Sequence, residues 1–521
     1  MSRFRREVIT KRIAAYEKKH DVTSYIINGK AVWPIIRITL SLTLHAGMLR
    51  PVQEVPESNH QSEAKQQRLW DIFLAHARHI RSSVRKKIKR IGNRFKNYLS
   101  HLFVSLFLQI PQCDVLVITN KNRQINWGAG KYNIVAEPLR EMLQARNVTT
   151  LVCERDEKTL WRYYIPAWQT EMNKFTSGGV SKIFAQTIRC PEWFNDIYEW
   201  VNEAFGVELT WSLVEQQIRQ ILYFKSVVKP WIRKTRCKLV VTDCWYNVDC
   251  MPFVLAASEL GLDVLDFQHG LQGEGHFAYQ AWEKVPNGGY DLIPKKFWVW
   301  GDDDARNLLR GGIQHLTRND IFIGGNLWLN KWKEENDTLI QEYYRKAVAI
   351  SAQSSRVLLV TLQKGIDNLS LIKGAVEKSP KDWLWMIRVH RNDHEKLSEF
   401  ERYFAKIEHP GINFRDAAEF PLYTLFQISD VHVTGFSTCA LEALAFHVPS
   451  IIVHESGKRI FSKYLEIGSM KFAENEDDLV SFSGGSFSKE FFEDTKKNDN
   501  GIFASFDKVG EAADDMMRMF I

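Results

Sequence analysis

The chain has 521 residues, 45% hydrophobic and 25% charged with Gly and Pro at ordinary levels, which excludes a disordered or collagen-like class and leaves room for two or three domains with large cores. Its seven Cys are scattered, with neither the CxxC spacing of a zinc site nor a disulfide framework, and fit a reducing cytoplasm. The opening after Met1 is charged rather than signal-like, and no stretch approaches the roughly 18 apolar residues of a membrane span, so the expected location is cytoplasmic.

Residues 1–110 are expected to form a helical N-terminal region. Asn28-Gly29 marks a turn between two short apolar runs, and residues 51–67 read as a polar linker. Much of the net charge of +7 then collects between 78 and 96. There Arg78, Arg81, Arg85, Lys86, Lys87, Lys89, Arg90, Arg94 and Lys96 alternate with Ile80, Val84, Ile88, Ile91 and Phe95 at helical spacing. Such a basic amphipathic segment suits an anionic membrane surface, peripheral on the inner face of the cytoplasmic membrane; a solvated helix face is the plainer alternative. No nucleic-acid reader motif accompanies it, so no nucleic-acid partner is expected.

From residue 111 the pattern becomes alternating strand and helix. Val115–Thr119 reads as a buried strand, Trp127-Gly128-Ala129-Gly130 as a flexible loop, Pro138–Ala145 as a helix and Thr150–Cys153 as the next strand, with Glu154 at its exit. Lys238–Thr242 is a clear strand ending at Asp243. A helix over Met251–Leu260 and a strand over Asp263–Phe267 follow, the latter delivering Gln268-His269-Gly270. Consecutive parallel strands joined by one crossover helix bring Asp243 and His269 to the same sheet edge, where open α/β sheets bind ligands. Asp243, His269 and Glu154 are therefore the catalytic candidates, as acid, base or nucleophile, or as groups that orient an acceptor. Gln268, Gly270 and His276 are candidates for acceptor binding, with Glu274 beside them. Asp302-Asp303-Asp304 lack the alternate spacing of a calcium loop and read as helix caps, so no metal site is expected.

A hinge is placed at Asn326–Trp328, after the strand Ile321–Gly325. The second α/β region opens with Arg356–Leu362 and the loop Gln363-Lys364-Gly365, whose lysine suits a phosphate. Trp383–Val389 is a strand that delivers Arg388 and His390. The most informative stretch is Asp430–Val453: a strand over Val431–Thr434, a turn at Gly435, Ser437 and Thr438 at a helix start, an apolar helix broken only by Glu442, and another strand from Ser450. This is one βαβ unit, with hydroxyls and helix amides placed for a phosphate and Glu442 placed for ribose hydroxyls.

Ser437-Thr438, three residues, Glu442-Ala443 and an apolar run to Pro449 resemble the nucleotide-binding segment of two-domain GT-B glycosyltransferases. The likeness is to bacterial capsule and O-antigen enzymes, Kdo transferases included, and to teichoic acid glycerophosphotransferases. His447 stands where that family usually has Gly, and Ser450 where a second branch carries another Glu. Gln268-His269-Gly270 is similar to the His-Gly of the same transferases, and Arg388-Val389-His390-Arg391 to their Arg/Lys-x-His-Pro, with Arg391 in place of Pro. The resemblance implies a GT-B-like α/β fold of two facing Rossmann-like domains with parallel sheets. Residues 111–325 would form the acceptor domain and 326–521 the nucleotide-sugar domain, with a last helix over Phe506–Phe520 crossing back to the first. It implies transfer of a sugar, with Kdo from CMP-Kdo foremost, to a surface-polysaccharide or lipid-linked glycan. Gln363, Lys364, Arg388, His390, Ser437, Thr438 and Glu442 would bind the donor, with no cofactor besides the nucleotide-sugar itself. A glycerophosphotransferase, a nucleotide-sugar epimerase and a non-enzymatic glycan-binding scaffold at the membrane remain the alternatives.

Overall fold

The computed structural model describes residues 6–49, 110–155, 162–163, 188–273, 275–333, 337–363, 368–485, 503–504 and 506–519. The basic segment at 78–96 lies outside them, as do Lys364 and Glu274. Two N-terminal helices, α1 (Arg6–Lys19) and α2 (Trp33–His45), precede the first sheet. Short apolar runs flanked by turn residues then form strands buried on both faces, the usual state of parallel strands between helix layers.

In the first half, β1 (Val115–Asn120) passes through a 3-10 turn at Lys121–Arg123 into a hairpin of β2 (Gln124–Trp127) and β3 (Gly130–Asn133). The expected flexible loop at 127–130 is thus a tight hairpin. Gly128 takes φ +56 in its turn, a conformation that costs glycine little. The sheet continues with β4 (Thr150–Arg155), β5 (Leu239–Thr242), helix α3 (Met251–Glu259), β6 (Asp263–Phe267), β7 (Lys296–Val299), helix α4 (Asp302–Arg310) and β8 (Ile321–Ile323). Its order is β8-β7-β6-β5-β1-β4, all parallel, with a two-residue antiparallel strand, Arg162–Tyr163, outside β4. Asp302, Asp303 and Asp304 occupy the first turn of α4, and the N-cap is Gly301. They meet the helix dipole rather than cap it with a side chain.

Gly324 lies against the Trp298 indole, leaving no space for a Cβ, and Trp298 Nε1 donates to the Gly325 carbonyl at 2.9 Å. The chain then turns through Asn326, whose side chain caps α5 (Leu327–Trp332), into the second half. There β9 (Arg356–Thr361), β10 (Trp383–Arg388), β11 (Ile412–Asn413), β12 (Val431–Thr434), helix α6 (Cys439–Ala445), β13 (Ser450–Ile452) and β14 (Met470–Phe472) make a second parallel sheet, ordered β11-β10-β9-β12-β13-β14. The two sheets with their helices form the two-domain, GT-B-like α/β fold.

Helices α1, α2 and α3 share one core on the first sheet. On the opposite face, Ala512, Ala513 and Met516 of the last helix, α7 (Phe506–Met517), pack among Val115, Val117, Val241 and Leu265. A third cluster spans both halves. Trp127 of the hairpin meets Trp328, Trp332 and Tyr343 at ring distances of 5.1–5.6 Å, and the Gly128 N–H donates to Tyr343 Oη at 3.2 Å.

Candidate functional site

Glu154 lies inside a strand, not beyond it, because β4 runs two residues further than its apolar run and pairs Glu154 with Thr119. It is buried and accepts hydrogen bonds from Gln124 Nε2 (2.5 Å) and Asn133 Nδ2 (2.7 Å). Burial raises its pKa. On the other side of β1, Asp243 is buried too, receiving Thr119 Oγ1 at 3.0 Å and Arg123 Nε at 3.4 Å. Burial raises its pKa, with the Arg123 charge opposing. Asn133 Nδ2 also reaches Thr119 Oγ1 at 3.4 Å. Glu154 and Asp243 are therefore two ends of one polar chain across β4, β1 and β5.

Asp266, inside β6, is the next carboxyl along this edge. Tyr279 Oη (2.8 Å), the Trp245 N–H (3.0 Å) and Thr242 Oγ1 (3.4 Å) donate to it, and burial pushes its pKa up to about 7. His269 follows β6 and is half-buried, with Nε2 3.5 Å from Tyr246 Oη and Nδ1 buried without a hydrogen-bond partner. Burial, then the charge of Arg123, holds its pKa well below the usual histidine range. It is a neutral imidazole. His276, whose Nδ1 accepts from the Ala278 N–H at 3.3 Å, is depressed by burial to about 3, stacks on Phe277 and meets Tyr246 edge-on and Tyr279 at a tilt. Gln268 is buried, and its amide is engaged within the protein. The oxygen accepts from the Trp300 N–H at 2.6 Å and the nitrogen donates to the Gly270 carbonyl at 3.0 Å. A further bond joins Gln268 to Asp304, whose carboxyl burial pushes up to about 7.

The loop carrying these groups is held from behind by the N-terminal helices. Arg37 and Glu17 form an ion pair with both side chains fully buried. Arg37 also donates to the carbonyls of Phe277 (3.0 Å), Gln280 (2.7 Å) and Ala281 (3.1 Å), while Glu17 accepts from the Glu283 N–H (2.8 Å). Thr10 Oγ1 reaches the Gly275 carbonyl at 3.0 Å.

At the second edge, His390 is exposed just past β10. Arg388 turns inward, donating to the carbonyls of Phe420 (2.7 Å) and Ala417. Gln363 Oε1 accepts the Phe436 N–H at 2.8 Å and so fixes the turn after β12. Ser437 and Thr438 are half-exposed. The expected free helix amides are not all available, because Ala440 and Leu441 bond back to the carbonyls of Ser437 (3.0 Å) and Thr438 (2.9 Å). Ser437 Oγ takes the Cys439 N–H at 3.3 Å. What this turn offers an anion is chiefly its hydroxyls. Glu442 accepts from Tyr423 Oη at 2.9 Å, and burial raises its pKa against the donors Tyr423 and Cys439.

The two edges meet. A Cβ built on Gly270 would lie 4.0 Å from Thr438 Oγ1, and Lys463 of the second half pairs with Asp303 of the first at 2.9 Å. Among the described residues no three His, Cys, Asp or Glu side chains converge as metal ligands would, and no helix is long and apolar enough to cross a membrane. Sequence reasoning missed Arg123, Tyr246, Tyr423 and Asp266. Only Asp266 left a sign, as a carboxylate inside an apolar strand.

No protein-family model matches this chain, and no curated protein does. Solved structures similar to it include the UDP-GlcNAc 2-epimerase of Methanocaldococcus jannaschii, at 16% identity over 78% of this chain and 99% of that one, with a TM-score of 0.45. The UDP-GlcNAc 2-epimerase of Neisseria meningitidis gives 16%, 78%, 98% and 0.46. The calicheamicin glycosyltransferase CalG4 gives 13%, 79%, 98% and 0.42.

Proposed function

We propose that this chain is a nucleotide-sugar-dependent glycosyltransferase, its nucleotide held by the half 326–521 and its acceptor by the half 111–325. The observation that carries the reading is the approach of Gly270 to Thr438, which sets the outlet loops of β6 and β12 side by side. On this reading the hydroxyls of Ser437 and Thr438, with His390, face the donor phosphate, and Glu442 takes the ribose hydroxyls.

An acceptor hydroxyl oxygen attacks the anomeric carbon and forms the new C–O bond, while the bond from that carbon to the phosphate oxygen breaks and the nucleotide leaves. The acceptor proton passes to His269, which is neutral and therefore able to receive it. Asp243 lies on the same edge, in a dry setting where Thr119 and Arg123 donate to it. His390, with the hydroxyls of Ser437 and Thr438, faces the charge that develops on the leaving nucleotide, while Arg388 braces the loop at Ala417 and Phe420 behind it, so the step as proposed calls for no cofactor. The sequence resemblance supports a surface-polysaccharide or lipid-linked acceptor and a CMP-activated sugar acid, Kdo foremost, as donor. Membrane association through 78–96 belongs to the same proposal.

Thermal midpoints with CMP, CDP, UDP and GDP, followed by product analysis, test it. A midpoint rise with CMP and intact sugar in an acceptor product are expected. UDP or GDP binding would overturn the CMP assignment, an altered donor without acceptor would make the chain an epimerase, and no rise with any nucleotide would leave a non-enzymatic scaffold.

A further inference from the structure

Arg123 ends the 3-10 turn that leads into the β2–β3 hairpin, beside the first edge. Its side chain is 31% exposed, against 4% for its partner Asp243. Its side-chain hydrogen bond leaves from Nε, at 3.4 Å to Asp243 Oδ2, so among the described residues the two terminal nitrogens have no hydrogen-bond partner. The guanidinium also lies close enough to His269 for its charge to act on the imidazole. A forked guanidinium edge with free donors matches a planar carboxylate, which it binds through two parallel hydrogen bonds.

Resting on the glycosyltransferase reading, we propose that the outer edge of Arg123 binds the carboxylate of a sugar acid whose ring reacts beside His269. The carboxylate then does more than anchor. Burial, the Arg123 charge and then His276 lower the proton affinity of His269, and an anion on the guanidinium offsets the second of these, so the base strengthens when the sugar acid is bound. Asp243 does not compete for the outer edge, because it lies on the Nε side.

The native chain, in the presence of CMP, is titrated with Kdo and N-acetylneuraminate and with their methyl esters. The free acids should bind 10- to 100-fold more tightly than the esters, the range of one or two hydrogen bonds to a charged group. Arg123→Met should erase that difference and Arg123→Lys retain part of it, while CMP alone binds all three proteins equally. With an acid substrate, turnover by the native enzyme should begin to fall at a higher pH than that of Arg123→Lys, because the strengthened base takes up a proton sooner as pH drops. Equal binding of acid and ester by the native chain, or binding of neither, overturns the proposal. So does loss of CMP binding in Arg123→Met, which would put the guanidinium on the phosphate. If no nucleotide binds the native chain, the transferase reading fails instead, and an acid–ester difference would still be visible without it.

Discussion

At the outlet of the first sheet, the carboxyls of Glu154, Asp243 and Asp266 are buried and receive hydrogen bonds chiefly from neutral donors: Asn133 and Gln124, Thr119, and Tyr279 with the Trp245 main chain. At the outlet of the second, His390 is exposed, and Ser437, Thr438 and Glu442 are half-exposed. Burial raises the proton affinity of all three first-edge carboxyls and lowers that of His269. Dry surroundings shift a proton equilibrium, whereas a group that only holds an anion has to remain reachable. On the proposed reading the first edge carries proton chemistry and the second holds the ligand, and each prediction below tests one side of that division.

The largest effect is expected from Asp243→Asn. The amide keeps the shape and an acceptor for Thr119 Oγ1 but removes the charge beside Arg123. Turnover should fall by about 10²- to 10⁴-fold, with nucleotide affinity within about twofold of native by thermal-shift titration. Retained turnover would take proton chemistry away from this edge. Next comes Arg37→Met, which leaves Glu17 buried without its cation and frees three loop carbonyls. Urea unfolding should show a loss of roughly 3–5 kcal/mol. An unchanged midpoint would mean that the His269–His276 loop does not depend on the N-terminal helices.

The two edges were not equally legible in the sequence. The βαβ unit at 430–453 showed plainly, since Val431 and Val433 alternate with His432 and Thr434 as in a short strand and Gly435 and Pro449 punctuate it, and the strand bounds match. The strand Asp263–Phe267 was equally clear. The network of the first edge was not, because its members come from separate elements: Thr119, Asn133, Glu154 and Asp243 meet only when β4, β1 and β5 pair. A periodicity argument places each residue on its element but carries no information about lateral neighbours. It also ended β4 too early, reading the last apolar residue as the end of the strand. At the second edge, the bonds by which Ala440 and Leu441 close the helix start depend on local backbone angles that residue types leave open.

The third prediction concerns pH. Asp266 has a folded pKa of about 7, above its ordinary 3.8, so between those values the folded chain holds a proton that the unfolded chain has lost. Stability from this group is therefore full below about pH 4, falls as pH rises from 4 to 7, and is level above that. Asp304, also near 7, contributes in the same window. Asp266→Asn should flatten the slope of unfolding free energy between pH 5 and 7.5 and raise stability at pH 7.5 by roughly 2–4 kcal/mol. The double variant with Asp304→Asn should flatten it further. A slope unchanged in both would show that these carboxyls ionise freely and that the first edge is wetter than the comparison requires.

The smallest effect separates holding from proton chemistry at the second edge. Tyr423 Oη donates to Glu442 at 2.9 Å and receives Asn326 Nδ2 at 3.4 Å, joining the start of α5 to the carboxylate assigned to the ribose. Burial keeps the phenol protonated and thus a donor. Tyr423→Phe removes the larger of the two hydrogen bonds that favour ionised Glu442, so the carboxyl, already raised by burial, rises further. The stability loss, about 0.5–1.5 kcal/mol, should accordingly be greater at pH 7.5, where the unfolded carboxyl is ionised, than at pH 4.5, where that carboxyl is about half protonated and the raised folded one more so. Nucleotide binding at pH 7.5 should weaken by about 3- to 10-fold, because a less ionised and less fixed carboxylate holds ribose hydroxyls poorly. A 2′,3′-dideoxynucleotide should bind the native and variant chains alike. If it too binds the variant more weakly, Glu442 acts through the shape of the site rather than by contact with the ribose, and the second edge holds its nucleotide by the hydroxyls of Ser437 and Thr438 alone.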